Sequence, residues 1–123
     1  TDDIYISQKD IRQIQLAKGA IAAGIIMMLD EIGLTIEEIP LVYIAGAFGY
    51  HINPSNIMEI GLIPKGFNGD IKFLGNTSLE GARFTLINND CYKKVYEIKE
   101  NMEVLELSLK ENFQNVFVSQ LNF

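Results

Sequence analysis

The sequence predicts an α/β fold, a partial parallel sheet flanked by helices. Three observations carry this expectation. Leu41-Val42-Tyr43-Ile44-Ala45 is a near-continuous apolar run, the pattern of a parallel strand buried on both faces. A second run, Ile71-Lys72-Phe73-Leu74, is separated from the first by a helical pattern instead of a hairpin turn, which favours parallel pairing. Each run also ends in a glycine-bearing turn that leads into a helix: Gly46-Ala47-Phe48-Gly49 after the first and Gly75-Asn76-Thr77-Ser78 after the second.

The elements follow in order. Ile4-Tyr5-Ile6 reads as a short strand or extended arm. Ser7 suits an N-cap, and Asp10 suits the positive end of the helix that follows. Ile11, Ile14, Ile21, Ile25, Met28 and Ile32 recur at spacings of three, four or their sum, the apolar stripe of a helix. Gly33 stops that helix, and Ala17, Ala20, Ala23 and Gly24 let it approach another backbone closely. Pro40 breaks the link to the first strand. Beyond the glycine turn, Asn53-Pro54 places a cap and a proline at a helix start. This helix runs to about Ile60 and stops at Gly61. Pro64, Gly66 and Gly69 mark a loop before the second strand. Leu79 to about Ile87 is a third helix, and Asn89-Asp90 caps a fourth that turns Val95 and Ile98 inward. Met102 to Leu107 alternates apolar and acidic residues, as a half-exposed strand does, and Asn112 to Leu121 forms a closing helix with Phe113, Val116, Phe117 and Leu121 on one face. Two central strands are few for a free-standing sheet. A second copy, as in a homodimer, or strands from a missing part of the molecule would extend it. Thr1 in place of Met points to a piece of a longer protein or to N-terminal processing.

Composition narrows the function. At 123 residues the chain is expected to form a single domain, 1–123. With 48 % hydrophobic and 21 % charged residues it has a globular composition. The net charge of -6 argues against a nucleic acid or an anionic membrane surface as partner. One cysteine, Cys91, and one histidine, His51, cannot form an internal disulfide, a four-ligand zinc site or an iron–sulfur site. The longest apolar stretch, Ala20 to Leu29, is interrupted by Gly24 and followed by Asp30 and Glu31. It is too short to span a bilayer, no secretion signal is evident, and a cytoplasmic location is expected.

The Gly46 turn is the most informative segment. Ligands of open α/β sheets bind at the carboxyl ends of strands, where small residues let a ligand approach the main chain. The plain alternative is a tight strand-to-helix turn. The run has neither the three-glycine dinucleotide spacing nor the Gly-Lys-Ser/Thr ending of a phosphate loop. The Gly75 to Ala82 junction could bind an anion at its helix start, but capping explains it more simply. Asn76-Thr77-Ser78 matches a glycosylation sequon by chance. Lys18 falls between Ile14 and Ile21, where an apolar residue is expected. Its default reading is a stem along apolar surface with the ammonium in water. The functional alternative is an ammonium at a ligand phosphate or ribose, assisted by Gln15 three residues before. Tyr50 and His51 follow the glycine turn as loop residues, and Cys91 reads as half-buried packing. Glu97, Glu100, Glu103 and Glu106 read as a solvated face. No Ser-His-Asp set or carboxylate pair stands out, so no catalytic or metal-binding residue is assigned.

Several of these segments together carry a resemblance: Ser7-Gln8-Lys9-Asp10-Ile11-Arg12, Gln15-Leu16-Ala17-Lys18, Tyr43-Ile44-Ala45-Gly46-Ala47-Phe48-Gly49, Ile60-Gly61-Leu62-Ile63-Pro64 and Gly75-Asn76-Thr77-Ser78-Leu79-Glu80-Gly81-Ala82. The chain resembles the C-terminal part of the ATPase domain of reductive activators of corrinoid proteins. The resemblance spans most of residues 5 to 123. It implies a ribonuclease H-like, actin-like ATPase subdomain in a cytoplasmic protein that uses ATP/ADP with Mg. An iron–sulfur cluster outside this fragment would supply an electron that returns cob(II)amide to cob(I)amide. The implied partner is a corrinoid protein or corrinoid methyltransferase. Gly46, Ala47, Phe48 and Gly49 would line the adenine–ribose side of a nucleotide cleft. Gln15 and Lys18 would be neighbours of the nucleotide, and Gly75 and Asn76 would lie nearby. Phosphate loops and cluster cysteines are absent from these residues, so the fragment alone is expected to be inactive. Two alternatives remain at this stage: a protein-interaction module that binds no nucleotide, and an actin-like activator of another class, such as the acyl-CoA dehydratase activators.

Overall fold

A computed structural model describes residues 4–47 and 52–123. The elements are α1 (Gln8–Glu31), β1 (Leu41–Ala45), α2 (Pro54–Glu59), β2 (Asp70–Gly75), α3 (Thr77–Ile87), α4 (Asn89–Glu100) and α5 (Phe113–Ser119). Short 3-10 turns lie at Ile36–Glu38 and Leu107–Leu109. The architecture is α/β, and β1 and β2 form a two-stranded parallel sheet. Packing divides the chain into two compact units. One comprises residues 1–40, 53–69 and 106–123, and the other residues 41–52 and 70–105.

The first unit is organised on α1. Its start is fixed by a capping box: the Ser7 hydroxyl accepts from the Asp10 backbone N–H at 3.3 Å, and the Asp10 carboxylate accepts from the Ser7 N–H at 2.9 Å. At the other end Gly33 takes the left-handed conformation, φ 71°, and the Leu34 N–H closes on the Leu29 carbonyl at 2.9 Å. The buried face of α1 is Lys18, Gly19, Ala22, Ala23, Gly24 and Met27. The expected isoleucine stripe is therefore corrected: Ile14, Ile21, Met28 and Ile32 are all exposed. The cause is close approach. A side chain at Gly19 would place its Cβ 3.0 Å from Leu121 and 3.3 Å from the Gln120 carbonyl, and α5 packs directly on α1. The face with the smallest side chains wins because it brings the two backbones nearest. Ile36, Ile57, Ile63 and Phe67 complete this core, with Ile57 wholly buried. Phe113, Val116, Phe117 and Leu121 are, with Gln120, the less exposed positions of the closing segment, as the spacing of the four apolar residues predicts.

The second unit contains the sheet, α3 and α4. The pairing runs Leu41↔Asp70 through Ile44↔Phe73, then shifts by one so that Ala45 meets Gly75. Burial of β1 on both faces is not observed. Tyr43 is 58 % exposed and no residue of either strand is buried, because two strands leave the sheet's faces largely bare. The N-caps are Asn76, which accepts from Leu79 at 3.1 Å, and Asn88, which accepts from Asp90 at 2.9 Å. The cap of the fourth helix thus lies one residue earlier than expected, at Asn88, and Asn89 is already helical. Its Val95 and Ile98 are exposed, not turned inward. A further expectation fails for want of a ladder partner among the described residues: Met102 to Leu107 forms no strand. Of the two readings of Ile4-Tyr5-Ile6 the strand is not formed, and the segment is an exposed arm.

Candidate functional site

The two glycine turns predicted from sequence meet in the second unit. Gly46 and Gly75 both lie in the left-handed region, with φ 92° and 69°, where any side chain brings strain. The Gly46 N–H donates to the Gly75 carbonyl at 2.6 Å. The sheet therefore continues for one bond past its register shift and ends in two adjacent tips. A Cβ built at Gly46 would meet nothing within 4 Å among the described residues, and Ala47 is exposed. The Gly46 tip presents main chain with little side-chain cover from the described residues. Asn76 is engaged: its side-chain oxygen caps α3 through Leu79, the plainer of the two readings given to that junction. Glu80 in the first turn of α3 adds a negative charge beside the helix start. Phe48, Gly49, Tyr50 and His51 lie outside the described residues.

Gln15 and Lys18 belong to the first unit. Gln15 is half-buried. Lys18 is 3 % exposed, so its ammonium is not in water as the default reading has it. Instead Nζ donates to the Asn122 carbonyl and lies 5.5 Å from the centroid of the Phe123 ring, a cation–π distance. Burial holds its pKa below the usual lysine value, and the Lys65 charge adds to the effect. Sequence reasoning found Lys18 because it interrupts an apolar pattern. It missed Asn122 and Phe123, which stand 104 and 105 positions away and carry no local signal. Cys91 is half-buried, as expected. Among the described residues no group of three or more His, Cys, Asp or Glu is placed to hold a metal.

A family model described as the C-terminal domain of RACo, the ASKHA domain, matches residues 1–123. The chain belongs to this family. A solved structure titled "Reductive activator for corrinoid,iron-sulfur protein" superposes with a TM-score of 0.84 at 39 % identity, over 94 % of this chain and 18 % of the other. The "Corrinoid activation enzyme RamQ" of Eubacterium limosum is 38 % identical over 88 residues, 72 % of this chain and 15 % of that protein. The "[Co(II) methylated amine-specific corrinoid protein] reductase" of Methanosarcina barkeri is 29 % identical over 122 residues, 98 % of this chain and 22 % of that one. The ASKHA chain thus spans less than a quarter of the length of these relatives. The ASKHA, actin-like fold and the membership among C-terminal domains of reductive activators bear out the resemblance read from the sequence.

Proposed function

We propose that this ASKHA domain is the C-terminal nucleotide-binding half of an ATP-dependent reductive activator of a corrinoid protein. The observation that carries the reading is the meeting of the two strand tips, Gly46 and Gly75, joined by a 2.6 Å hydrogen bond, with open space over Gly46 among the described residues. A flat main-chain seat of this kind fits a purine nucleoside, whose ring needs close approach more than side-chain contact. Gly46, Ala47, Phe48 and Gly49 would face the adenosine, with Gly75 and Asn76 beside it. On the resemblance, Gln15 and Lys18 are also proposed as nucleotide neighbours.

The chain holds one cysteine and cannot by itself ligate an iron–sulfur cluster. The proposal therefore places the cluster, the phosphate loops and Mg in the rest of a longer protein, in the cytoplasm. There a reduced cluster gives up one electron and cob(II)amide accepts it to become cob(I)amide. Nucleotide would act by binding one arrangement of the full protein better than another, the only way a ligand shifts such a balance. No helix among the described residues is long and apolar enough to cross a membrane.

The test is calorimetric titration of ATP and ADP into the full-length protein and into two variants. Gly46→Val fills the seat but also strains a left-handed residue. Ala47→Leu adds bulk without that strain, since no described non-glycine residue has positive φ. Overpacking of this kind costs about 1–3 kcal/mol, or roughly fivefold to a hundredfold in affinity. Unchanged affinity in Ala47→Leu rejects the seat. No nucleotide binding by the full-length protein moves the reading to an interaction module, for which the exposed apolar residues of α3 and α4 would be the surface.

A further inference from the structure

A cavity of about 240 Å³ opens in the first unit beside Lys18. Lys65, Ser119, Gln120 and Asn122 share its wall with Gly61 and apolar side chains, and no carboxylate lines it. Lys18 is the only charged residue buried in the described chain. An ammonium has three donors. One is used on Asn122, and no other acceptor among the described residues takes the remaining two. No ion pair among the described residues neutralises Lys18 or Lys65. Two like charges thus face one space, and burial makes the inner one costly to keep ionised. Gly61 preserves the space: in its left-handed conformation, φ 72°, it presents bare backbone where a Cβ would come 3.2 Å from Lys18 Nζ. A lone bridging water occupies roughly 30 Å³, far less than the room available.

We propose that this cavity is an oxyanion site that takes a phosphate group, with Lys18 and Lys65 as its cationic contacts. The anion would supply the acceptors that the buried ammonium lacks and offset the repulsion between the two lysines. Lys18 would make the stronger contact because it is desolvated, where a charge-assisted bond gains most. Lys65, exposed to water, would add a smaller, salt-sensitive attraction. The ion could be free or the phosphate of a larger molecule. The site needs no residue of the strand tips, but it shares Lys18 with the nucleotide reading above: the nucleotide-phosphate outcome below rests on that reading, and the free-oxyanion outcome does not.

The experiment uses the full-length protein, freed of nucleotide, and titrates inorganic phosphate against a chloride control of equal ionic strength. The expected result is saturable binding, weakened about tenfold or more by Lys18→Met and roughly threefold by Lys65→Gln. Lys65→Gln lies on the surface and keeps the test decisive if Lys18→Met fails to fold. Repeating the titration at saturating ADP separates the sources. Undiminished phosphate binding identifies a free oxyanion, whereas displacement by ADP together with weaker ADP binding in Lys65→Gln identifies a nucleotide phosphate. Absence of saturable phosphate binding, with ADP affinity untouched by Lys65→Gln, overturns the proposal. Failure of the adenosine seat shows separately, as unchanged ADP affinity in Ala47→Leu.

Discussion

The two units of this chain differ in what they bury. Every buried hydrophobic residue described, from Ala22 to Phe67, belongs to the unit built on α1 and α5. The unit that holds the sheet, α3 and α4 has none, and it exposes Tyr43, Phe84, Leu86, Ile87 and Tyr96. The first unit is therefore held by its own core, while the second is held by a ladder of backbone bonds, two side-chain caps and half-covered contacts. The strand tips, with open main chain at Gly46 among the described residues, lie in the second. Elements that must receive a ligand are often drawn from the less protected part of a fold, and here protection and open main chain are divided between units.

The largest effect that would break this contrast is expected at Ile57. Replacing a wholly buried isoleucine by alanine leaves a cavity and costs about 2–5 kcal/mol. Leu86→Ala, at a position 86 % exposed, is expected to stay within about 0.5 kcal/mol. Denaturant melts of the two variants check this, and equal losses would show that the second unit has a core of its own. A smaller effect is expected at the helix contact. Gly19→Val forces α5 away from α1, and overpacking costs about 1–3 kcal/mol. Faster amide exchange confined to α1 and α5 is the expected signature.

The smallest effect sharpens the comparison at the edge of the first unit. Ser7→Ala removes the cap of α1 at a cost of about 1 kcal/mol, which exchange of the first-turn amides would read. The pH dependence has a defined sign. Hydrogen bonds from the Ser7 side chain and backbone hold the Asp10 carboxyl below its ordinary value of 3.8. Its contribution is complete above that value and is lost as pH falls through the lower folded one. Asp10→Asn should flatten that loss, and an unchanged acid profile would show that the capping box does not set the helix start.

Much of the chain was legible because its signals are local. Ser7 with Asp10, Asn53 with Pro54, and Gly33 and Gly61 place helix ends through bonds within a few residues. The two apolar runs and their glycine turns gave both strands and the candidate seat, since left-handed tips need glycine wherever they occur. The acidic–apolar alternation of Met102 to Leu107 misled because a period of two permits a strand, but only a neighbouring strand can supply its hydrogen bonds.

Residue order alone determined the α/β class, the parallel pairing implied by spacing, the turns, and a lysine out of place in a helix. Tertiary structure decided which face of α1 is covered, that Gly46 and Gly75 bond to one another, and that Lys18 reaches Asn122 and Phe123. The physical reason is range. Caps and turns are closed by groups a few positions apart, whereas burial and an ammonium's partner depend on segments that meet only after the chain has folded.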